Sequence, residues 1–449
     1  MIKKLAEQFN KEGYQLYEVG GRIRDELLNR TSNDIDLATN ALPSETRSIL
    51  NNLGKVYTVG EEFGTIGLNV DDLKIEITTY RKEVYPSDSR KPVVTFGTSL
   101  RDDLARRDFN INAMARNPLN NEIIDYFGGL NDIKSRVIRC VGSDDRLNED
   151  PLRMMRAIRF ACQLGFKLDI KIDTPQRLSI ISNERIRDEL IKILLTDNAS
   201  DGVRLLCDYG LMTYIIPEFM LLKDVAQGKN HIKDAYQHTL LVLDKGAKID
   251  FGESNTVFRL ACLLHDIAKP DTKTENGHEV HFYSHHYVGA KKANTILQGL
   301  RFDSDTIKQV CHLINYHMMP IMLQDVSLTD RNVRRMVYKI GKDTIYMLLS
   351  LVQCDIQSSS SPRHDFITKL TEMVDKCLAE YPTGIKSPLS GDEIMERFNI
   401  PPGKLVGEIK EYLTNLVIDD TLEDVYVKVA EFIERKGRYE IEHGKESHQ

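Results

Sequence analysis

The first third of the chain alternates apolar and polar residues in short segments that predict strands and helices in turn. "YQLYEVGG" predicts a strand ending in glycines, "RIRDELLN" predicts a helix, and "DIDLAT" predicts a second strand. Pro43 is expected to open a helix over "PSETRSILNNL", because proline is tolerated in the first turn of a helix. "GTIGLNV" and "LKIEITTY" alternate on either side of two aspartates, which predicts an antiparallel hairpin.

From about Asn148 onward the apolar positions recur at helical spacing and strand character is lost. The clearest segments are "EDPLRMMRAIRFACQLG", "ERIRDELIKILL" and "DGVRLLCDYGLM". The predicted fold class is therefore α+β, with a small mixed sheet and helices in an N-terminal head and an all-helical remainder. "IQSSSSPRHD" is polar and rich in serine, and it predicts a loop and a boundary near 357–364.

Composition narrows the class of protein. The 449 residues predict two to four domains, and 41% hydrophobic with 28% charged residues is typical of a soluble globular protein. The N-terminus has no apolar signal segment and runs such as "MLLSLV" are too short to span a bilayer, so no membrane partner is expected. Seven scattered cysteines without CxxC spacing predict reduced thiols and a cytoplasmic location. Because the net charge is −7, any RNA contact must come from local basic patches.

Two aspartates in "NDIDLA" are the first candidates for chemistry. In a strand, Asp34 and Asp36 would face one way, with Ile35 and Leu37 on the opposite, apolar side. Like charges this close raise each other's pKa unless a cation lies between them. Glu76 offers a third carboxylate on a strand that is expected beside the pair. The three are predicted to be catalytic and to hold two Mg²⁺ ions, and a solvated strand edge is the alternative.

Gly20 and Gly21 lie between a predicted strand and a predicted helix that carries Arg22 and Arg24. Glycines let a backbone approach a phosphate, and the N-terminus of a helix attracts anions. The turn and its arginines are therefore candidates for binding a phosphate group, and an ordinary glycine turn is the alternative.

Together these segments resemble a known family. "VGGRIRDELL…NDIDLAT" is similar to the signature of the nucleotidyltransferase superfamily that includes DNA polymerase beta, and the chain resembles the class II tRNA nucleotidyltransferases, with their CCA-adding and poly(A) polymerase members. "RRDFNINAMA" resembles the second family motif, which implies that Arg106 and Asp108 meet the ribose and that Asn112 supports the site. "DYFGGLNDI" resembles the third motif, a flexible link, and "ERIRDEL" resembles the fifth, a helix-stabilising element.

"EDPLRMMRAIRF" resembles the fourth family motif, which implies that Asp150 and Arg153 pair with the edge of the incoming base. Their spacing alone predicts one face of a helix that Pro151 starts, where donors and acceptors could together read a base edge. An intrahelical salt bridge is the alternative. Arg156 and Arg159 of the same segment complete the predicted nucleotide-binding set.

Three details bear on the substrate that the resemblance implies. "YTVGEEFGTIGL" stands where poly(A) polymerases of this class carry a basic, phenylalanine-containing motif, and that motif is missing, so polyadenylation is disfavoured. "YRKEVYPSDSRKPVVTF" resembles the flexible loop that accompanies the switch from C to A addition, which leaves a complete CCA-adding enzyme or one that adds only the terminal A. Asn110 replaces the usual threonine, a conservative departure.

A second group of candidate ligands lies in the helical remainder. "LACLLHDIAKP" places His265 and Asp266 on an apolar segment, where a lone histidine would more often be an ordinary core residue. Further histidines and one carboxylate on separate predicted helices could converge with them on a transition metal. These are His238, His285, His317 and Asp355, with His286 and His312 as alternatives.

The order of His238, His265, Asp266 and Asp355 resembles the HD phosphohydrolase superfamily. The resemblance implies a divalent transition metal, with Mn, Ni, Fe and Zn left open, that activates water for attack on phosphomonoesters or 2′,3′-cyclic phosphates. A degenerate HD fold that only supports tRNA is the alternative.

The resemblance covers nearly the whole chain and predicts four domains: a head over 1–145, a neck over 146–225, an HD-type domain over 226–362 and a tRNA-binding tail over 363–449. The tail is the weakest match, and it is expected to present Lys404 at a helix N-terminus toward an RNA phosphate.

The predicted activity is template-independent addition or repair of the CCA end of tRNA from CTP and ATP, with contacts to the acceptor arm and 3′ end, and with a second HD activity. The alternatives are an enzyme adding only A, a poly(A) polymerase, an HD hydrolase with an RNA-docking head, and a non-catalytic RNA-binding protein.

Overall fold

The computed structural model describes residues 1–32, 34–51, 53–70, 73–84, 93–97, 99–226, 234–276, 279–359 and 364–443. The chain divides into two compact units. The first is Met1–Met220 with Gly299–Phe302, and the second is Leu221–Gln298 with Asp303–Gln449. The finer division into head, neck, HD-type domain and tail remains a prediction.

The strands belong mainly to the first unit, as the alternating pattern predicts. They are β1 Leu16–Val19, β2 Ile35–Thr39, β3 Lys55–Tyr57, β4 Thr65–Val70, β5 Leu73–Thr79, β6 Arg81–Val84, β7 Val93–Phe96, β8 Met114–Arg116, β9 Ile123–Asp125, β10 Val137–Ile138, β11 Lys167–Leu168, β12 Lys273–Asn276 and β13 Glu279–Phe282.

In the described residues, seven strands form one mixed sheet in the order β3-β4-β5-β2-β1-β8-β9. The predicted hairpin is confirmed, since β4 and β5 pair antiparallel with Val70 opposite Leu73. The parallel pairing of β2 with β5 places Asp36 directly opposite Glu76. Ile35 and Leu37 are buried in the core and Asp36 between them is exposed, so the predicted alternation is confirmed for these three residues. Asp34 lies one residue before β2 and is not part of the strand.

The helices fill the rest of both units. They are α1 Ile2–Lys11, α2 Gly21–Leu27, α3 Pro43–Leu50, α4 Leu100–Ala105, α5 Gly129–Ser135, α6 Arg146–Glu149, α7 Leu152–Leu164, α8 Asn183–Leu194, α9 Ala199–Asp208, α10 Met212–Ile215, α11 Pro217–Met220, α12 Ala235–Gly246, α13 Asn255–Leu264, α14 Lys269–Thr272, α15 His285–Gly299, α16 Ser304–Tyr316, α17 Met318–Val326, α18 Asp330–Ile340, α19 Ile345–Ser358, α20 His364–Glu380, α21 Gly391–Phe398, α22 Lys404–Asp419 and α23 Val425–His443. Short 3₁₀ turns occur at Glu61–Phe63, Asn110–Asn112, Pro175–Ile180 and Gly252–Ser254.

Local signals set several helix boundaries. Pro43 begins α3, as expected, and the backbone N–H of Leu42 donates to Glu45, 2.7 Å away, which satisfies a free amide at the helix start. Helix α19 extends to Ser358, so the predicted serine-rich loop begins later than expected, and residues 360–363 of it lie outside the described residues. The predicted α+β class with a mixed N-terminal sheet is confirmed. The prediction that everything after about Asn148 is helical is wrong in two places, because β11 pairs with β10 and because β12 and β13 form an antiparallel hairpin.

No helix in the described parts of the chain is both long enough and apolar enough to cross a membrane.

Candidate functional sites

The first unit contains a cavity of about 810 Å³ lined by residues from the sheet, from α2 and from α7 and α8. Nine arginines and five aspartates are among its described lining residues, so the wall is net positive. A net positive wall with localised carboxylates suits a polyanionic ligand with bound cations. The lining residues are Gly20, Gly21, Arg22, Arg24, Asp25, Ser32, Asp34, Asp36, Phe63, Arg81, Val94, Arg106, Arg107, Asp108, Asn112, Asp150, Leu152, Arg153, Arg156, Arg159, Phe160, Gln163 and Arg185.

Asp34 and Asp36 both line this cavity and both are exposed. Glu76 is adjacent to Asp36 across the strand pair but does not reach the lining. Partial withdrawal from water raises the pKa of Asp36, Arg107 opposes that shift, and the charges of Glu76 and Asp34 add to it. Mg²⁺ prefers hard carboxylate oxygens, and a bound ion would offset the repulsion through which these carboxylates raise each other's pKa.

Gly20 is the point where the backbone comes closest to these charges. Its φ of +83° suits glycine, and a Cβ there would lie 3.1 Å from Arg107 Nη1 and 3.4 Å from Asp36 Oδ2. A side chain at this position would therefore press on both groups. Sequence reasoning missed Arg107, although the arginine doublet of "RRDF" was its signal.

The two arginines of α2 are already engaged with protein groups. Arg22 Nε lies 2.7 Å from Glu18 Oε1, and the buried Arg24 donates to Asn112 Oδ1 at 2.7 Å and to Asp25. Both side chains still line the cavity. Their arrangement makes them part of a pre-formed hydrogen-bonded wall.

The motif around Asp108 forms a second hydrogen-bonded group. Buried Asp108 accepts from Arg156 Nη2 at 2.6 Å and from Asn112 Nδ2 at 3.1 Å, while Arg106 Nη2 lies 2.9 Å from Asp103 Oδ1. Burial alone would raise the pKa of Asp108, but the charge of Arg156 and the hydrogen bond from Asn112 outweigh it, so the pKa is lowered. Asp108 is therefore an ionised acceptor fixed in the cavity wall.

The prediction that Asp150 and Arg153 lie on one face of a helix is wrong. Asp150 precedes Pro151 in extended backbone (φ −130°, ψ 100°), outside α7, because the residue before a proline disfavours the α conformation. Asp150 accepts from Arg185 Nη2 at 2.8 Å, and Arg153 Nη1 donates to Glu149 at 3.0 Å. Asp150 and Arg153 nevertheless both line the cavity.

Phe160, which sequence reasoning missed, organises the arginines of α7. The guanidinium carbons of Arg24, Arg156 and Arg159 lie 4.9, 5.6 and 4.1 Å from its ring centroid. Arg159 also lies 2.7 Å from the buried carboxylate of Glu189. These contacts hold several like charges near one another in the wall of the cavity.

The predicted HD residues converge inside the second unit. His238 lies on α12, His265 and Asp266 directly follow α13, and His285 begins α15, while His317 joins α16 to α17 and Asp355 lies on α19. His238, His265, Asp266, His285 and His317 are buried. Long-range packing of several helices, which spacing along the chain does not show, brings them together.

Two groups of three possible metal ligands occur among the described residues, with ligand atoms within 4.8 Å of one another. One is His238, His265 and Asp266, and the other is Asp266, His285 and His317. Asp266 is common to both groups, and Asp355 Oδ1 lies 2.9 Å from His238 Nε2. Asp34, Asp36 and Glu76 of the first unit are not gathered as closely.

Backbone carbonyls orient three of these histidines. The Nδ1 atoms of His265, His285 and His317 each lie 2.7 to 3.0 Å from the carbonyl oxygen three residues earlier. Because a carbonyl only accepts, each Nδ1 donates, which leaves the Nε2 lone pair for a ligand when the ring is neutral. The Nε2 atoms of His285 and His317 face each other at 3.1 Å. Two lone pairs at that distance fit a shared cation, so the donor set suits a transition metal.

Burial and mutual charge shape the titration of this cluster. Burial, followed by the neighbouring His285 and His265, lowers the pKa of His317 to about 3. Burial also lowers the pKa of His285. Burial alone would raise the pKa of Asp355, but its hydrogen bond to His238 outweighs this and the pKa is lowered. His285 and His317 are therefore neutral imidazoles near an ionised carboxylate, the protonation states that a metal requires. His265 differs, since burial alone would lower its pKa but the charge of Asp266 outweighs this and the pKa is raised.

Other residues near this cluster differ from the sequence expectations. Lys269, which sequence reasoning missed, is buried with Nζ 2.7 Å from Asp266 Oδ2; its signal was a position three residues after Asp266 in "HDIAK". His312 belongs to neither ligand group, and its Nε2 lies 2.9 Å from the carbonyl oxygen of Ile340. His286 belongs to neither ligand group, although its ring lies 6.4 Å from that of His317.

In the C-terminal region, α22 begins at Lys404, whose side chain is 91% exposed. The predicted exposed lysine at a helix start is therefore present, and its contact with RNA stays a prediction.

Three family descriptions match consecutive parts of the chain. "Poly A polymerase head domain" matches residues 16–139, "Probable RNA and SrmB- binding site of polymerase A" matches residues 172–222, and "HD domain" matches residues 235–343. Asp34 and Asp36 fall in the first match, and the histidines of the metal-ligand groups fall in the third.

Curated relatives cover part of the chain. The CCA-adding enzymes of Lactobacillus johnsonii and Geobacillus thermodenitrificans are 42% identical over 214 residues and 43% identical over 218 residues. These alignments cover 46% and 47% of this chain. The chain thus spans about half the length of these relatives, 53% of each.

Solved structures share the fold over almost the full length. The Bacillus stearothermophilus CCA-adding enzyme in complex with CTP has a TM-score of 0.68 at 24% identity, covering 97% of this chain and 98% of that one. The Thermotoga maritima CCA-adding enzyme complexed with tRNA has a TM-score of 0.63 at 20% identity, covering 96% and 94%. The chain therefore contains, in this order, regions that match a poly A polymerase head domain, an RNA-binding segment of polymerase A and an HD domain, and it shares its fold with solved CCA-adding enzymes.

Proposed function

We propose that this chain adds or repairs the 3′-terminal CCA of tRNA from CTP and ATP without a nucleic-acid template. The observation that carries the proposal is the cavity of the first unit, where Asp34, Asp36, the Gly20 turn and the arginines of α7 line one space. The substrates come from the relatives, since the curated matches are CCA-adding enzymes and structures of this fold hold CTP or tRNA.

The reaction assigns a task to each part of the wall. The 3′-hydroxyl of the RNA attacks the α-phosphate of the nucleotide, the bond to the β-phosphate breaks, and pyrophosphate leaves. The Gly20–Gly21 backbone and nearby arginines bind the triphosphate, because they combine close backbone approach with positive charge. Asp108 accepts from the ribose, and Asp150 and Arg153 face the base from two separate backbone segments.

Mg²⁺ fits the head site, where Asp34 and Asp36 would hold it with support from Glu76 on the adjacent strand. Two such ions, when bound, supply neutralisation of the developing pyrophosphate charge. The protein's own contribution is to hold both carboxylates at the cavity surface while Ile35 and Leu37 anchor the strand in the core.

One assay tests the head proposal and its nearest alternatives. The protein is incubated with tRNA transcripts that end before CCA, after CC, or after complete CCA, each with CTP, ATP or both, and the products are sequenced. Extension of the first transcript to CCA and none of the complete transcript is the expected result. Extension only of the CC transcript would establish an A-only enzyme, and long A tails a poly(A) polymerase. Absence of incorporation would overturn the proposal.

We further propose that the HD cluster binds a divalent transition metal and hydrolyses phosphoesters such as 2′,3′-cyclic phosphates. The observation favouring this is the pair of ligand groups that share Asp266, with Nε2 lone pairs turned inward. Manganese, nickel, iron and zinc all accept imidazole and carboxylate ligands. A bound metal lowers the pKa of its water, which is the chemistry that hydrolysis needs.

Metal binding by the HD cluster has a readout separate from activity. Each of the four metals is titrated into chelator-treated protein, and the thermal transition is followed with and without His265→Ala. At a metal concentration of 100 times Kd, we expect stabilisation of about 2.7 kcal/mol in the wild type and a much smaller effect in the variant. Equal shifts in both proteins would contradict the assigned ligands. Hydrolysis of a 2′,3′-cyclic nucleotide should disappear in the same variant.

The four predicted domains and a cytoplasmic location are part of this proposal. All seven cysteines are free, which supports a reducing compartment.

A further inference from the structure

Phe63 is an exposed aromatic residue in the wall of the head cavity, and none of the sequence motifs gives it a role. Its side chain is 53% exposed, although phenylalanine is among the residues most often fully buried. Phe63 lines the cavity together with Arg81 and Val94. An aromatic face and a guanidinium in one wall are the groups that bind nucleic-acid bases and backbones without reading sequence.

The backbone that presents Phe63 is fixed by contacts on both sides. Phe63 ends the 3₁₀ turn Glu61–Phe63, and the following Gly64 has a φ of +85°. A Cβ on Gly64 would lie 2.5 Å from the ring of Phe96, so only glycine allows this approach. Thr79 N donates to the Gly64 carbonyl at 2.8 Å, and Arg81 Nη1 donates to the Phe63 carbonyl. The exposure of the ring therefore results from a defined turn.

The elements that line the cavity suggest which base Phe63 meets. Asp150 and Arg153, from the α6–α7 segment, are assigned to the base of the incoming nucleotide. Phe63 belongs instead to the turn before β4, whose partner β5 pairs with β2, the strand of Asp36. The RNA must bring its 3′-hydroxyl to Asp34 and Asp36. On the side of the cavity where Phe63 lies, the base that can contact its ring is therefore the terminal base of the RNA.

We infer that Phe63 stacks on the 3′-terminal base of the RNA that receives the nucleotide, and that Arg81 lies beside the backbone of that RNA. The inference rests on the proposed CCA addition. The terminal base changes as successive nucleotides are added, so a platform that reads the base edge would fit only one step. Stacking tolerates every base, because each has a π face.

A tryptophan reporter tests the contact directly. The chain has no tryptophan, so Phe63→Trp places a single tryptophan at the site, which is excited selectively over the tyrosines. Its fluorescence is measured with a tRNA transcript lacking CCA and with the same RNA whose last nucleotide has no base. Quenching by the first RNA and not by the second is expected. Quenching by CTP or ATP alone would instead assign Phe63 to the incoming base, and equal responses to both RNAs would remove the stack. Either result overturns the inference.

Steady-state kinetics provide a second measurement. Loss of the stacked ring should weaken RNA binding, so we expect Phe63→Ala and Phe63→Leu to raise KM for the RNA about tenfold. KM for CTP should stay within about twofold, and Phe63→Tyr should behave like the wild type. Val59→Ala is the matched control, since Val59 is 87% exposed in the same segment and does not line the cavity. Full activity of Phe63→Leu would show an apolar contact without stacking. If the wild type incorporates no nucleotide, CCA addition fails, and the tryptophan response still decides the role of Phe63.

Discussion

At the scale of single residues, Asp34 and Asp36 are positions where a substitution should change activity without changing stability. Both side chains are exposed in the cavity, whereas the residues that hold their strand, Ile35 and Leu37, are buried. Substitutions that remove only the two carboxylates should therefore leave the fold intact, because exposed sites away from special features change stability by about 0.5 kcal/mol or less.

We expect the double variant Asp34→Asn and Asp36→Asn to incorporate nucleotides more than about a hundredfold more slowly. About a hundredfold is the largest loss expected when a residue that only orients a metal ligand is replaced, and these residues are proposed to bind the metal directly. Incorporation of labelled CTP into a tRNA transcript lacking CCA measures the loss, and a gel-shift assay measures RNA binding, which should persist. Glu62→Gln, an exposed acidic residue on the turn before β4, is the matched control. Retained incorporation in the double variant would remove the head assignment.

Asp108 should behave in the opposite way, since it is buried and its pKa is lowered by Arg156 and Asn112 against the effect of burial. A carboxylate with a lowered pKa stabilises the fold above its unfolded pKa, and that contribution is lost as the pH falls through the folded pKa. Asp108→Asn is expected to reduce the free energy of unfolding by about 2 kcal/mol at pH 7.

The difference between wild type and Asp108→Asn should shrink below about pH 4, the ordinary range of an aspartate. Denaturant titrations followed by circular dichroism between pH 3 and 7 measure it. A difference that does not change with pH would show that the loss comes from packing and not from the ion pair with Arg156.

At the scale of elements, local signals predicted what lies within one segment and missed what depends on another. Strand β2 and helix α3 follow from alternation and from Pro43, because both signals are contained in the element itself. The prediction that Asp150 and Arg153 share one helix face was wrong because Pro151 excludes Asp150 from the helix. This effect of proline on the preceding residue could have been predicted from the sequence. The partner of Asp150, Arg185, was missed because it lies on α8, 35 residues away.

That correction leads to a prediction about α8. Because Arg185 holds Asp150 by a single ion pair with partly exposed side chains, Arg185→Ala should barely change stability. We expect it to raise KM for CTP and ATP about tenfold, equivalent to about 1.4 kcal/mol of binding, with a smaller effect on kcat. Arg187→Ala on the same helix is the control, since Arg187 does not line the cavity. An unchanged KM would show that Asp150 needs no support from α8.

The metal-ligand cluster is a second case in which local sequence signals do not predict contacts between elements. The order of His238, His265, Asp266 and Asp355 along the sequence predicted their convergence through resemblance alone. The carbonyl contacts that orient three of the histidines and the ion pair of Lys269 with Asp266 depend on helix packing. Periodicity within a helix contains no information about which neighbouring carbonyl or lysine it will meet.

At the scale of the whole molecule, the proposed RNA binding by a chain with a net charge of −7 requires local positive charge. The cavity of the first unit supplies it, since arginines outnumber aspartates in the described lining. Contacts between arginines and phosphates make RNA affinity fall with salt concentration even when the net charge of the protein is negative. The negative net charge therefore disfavours nonspecific RNA binding without preventing binding at the cavity.

Each unit contains its own candidate ligands. Asp36 and Glu76 of the first unit lie on adjacent strands of one sheet with Asp34 just before β2, and the HD ligands lie on helices of the second unit or at their ends. Loss of one site should therefore leave the other intact. In the full-length protein, the Asp34→Asn and Asp36→Asn double variant should hydrolyse a 2′,3′-cyclic nucleotide at the wild-type rate. His265→Ala should add CCA at the wild-type rate, and a variant with all three substitutions should lose both activities, because effects at sites without shared partners are additive.

The measurement is both assays on the four proteins, with circular dichroism to confirm that each is folded. A folded His265→Ala variant that adds CCA slowly would show that the HD cluster supports the nucleotidyl transfer reaction. The independence of the two sites would then be wrong, although the ligand assignments would stand. Because each site holds its acidic residues on its own structural elements, we expect the two activities to respond separately, and the triple variant to show no loss beyond the sum of its parts.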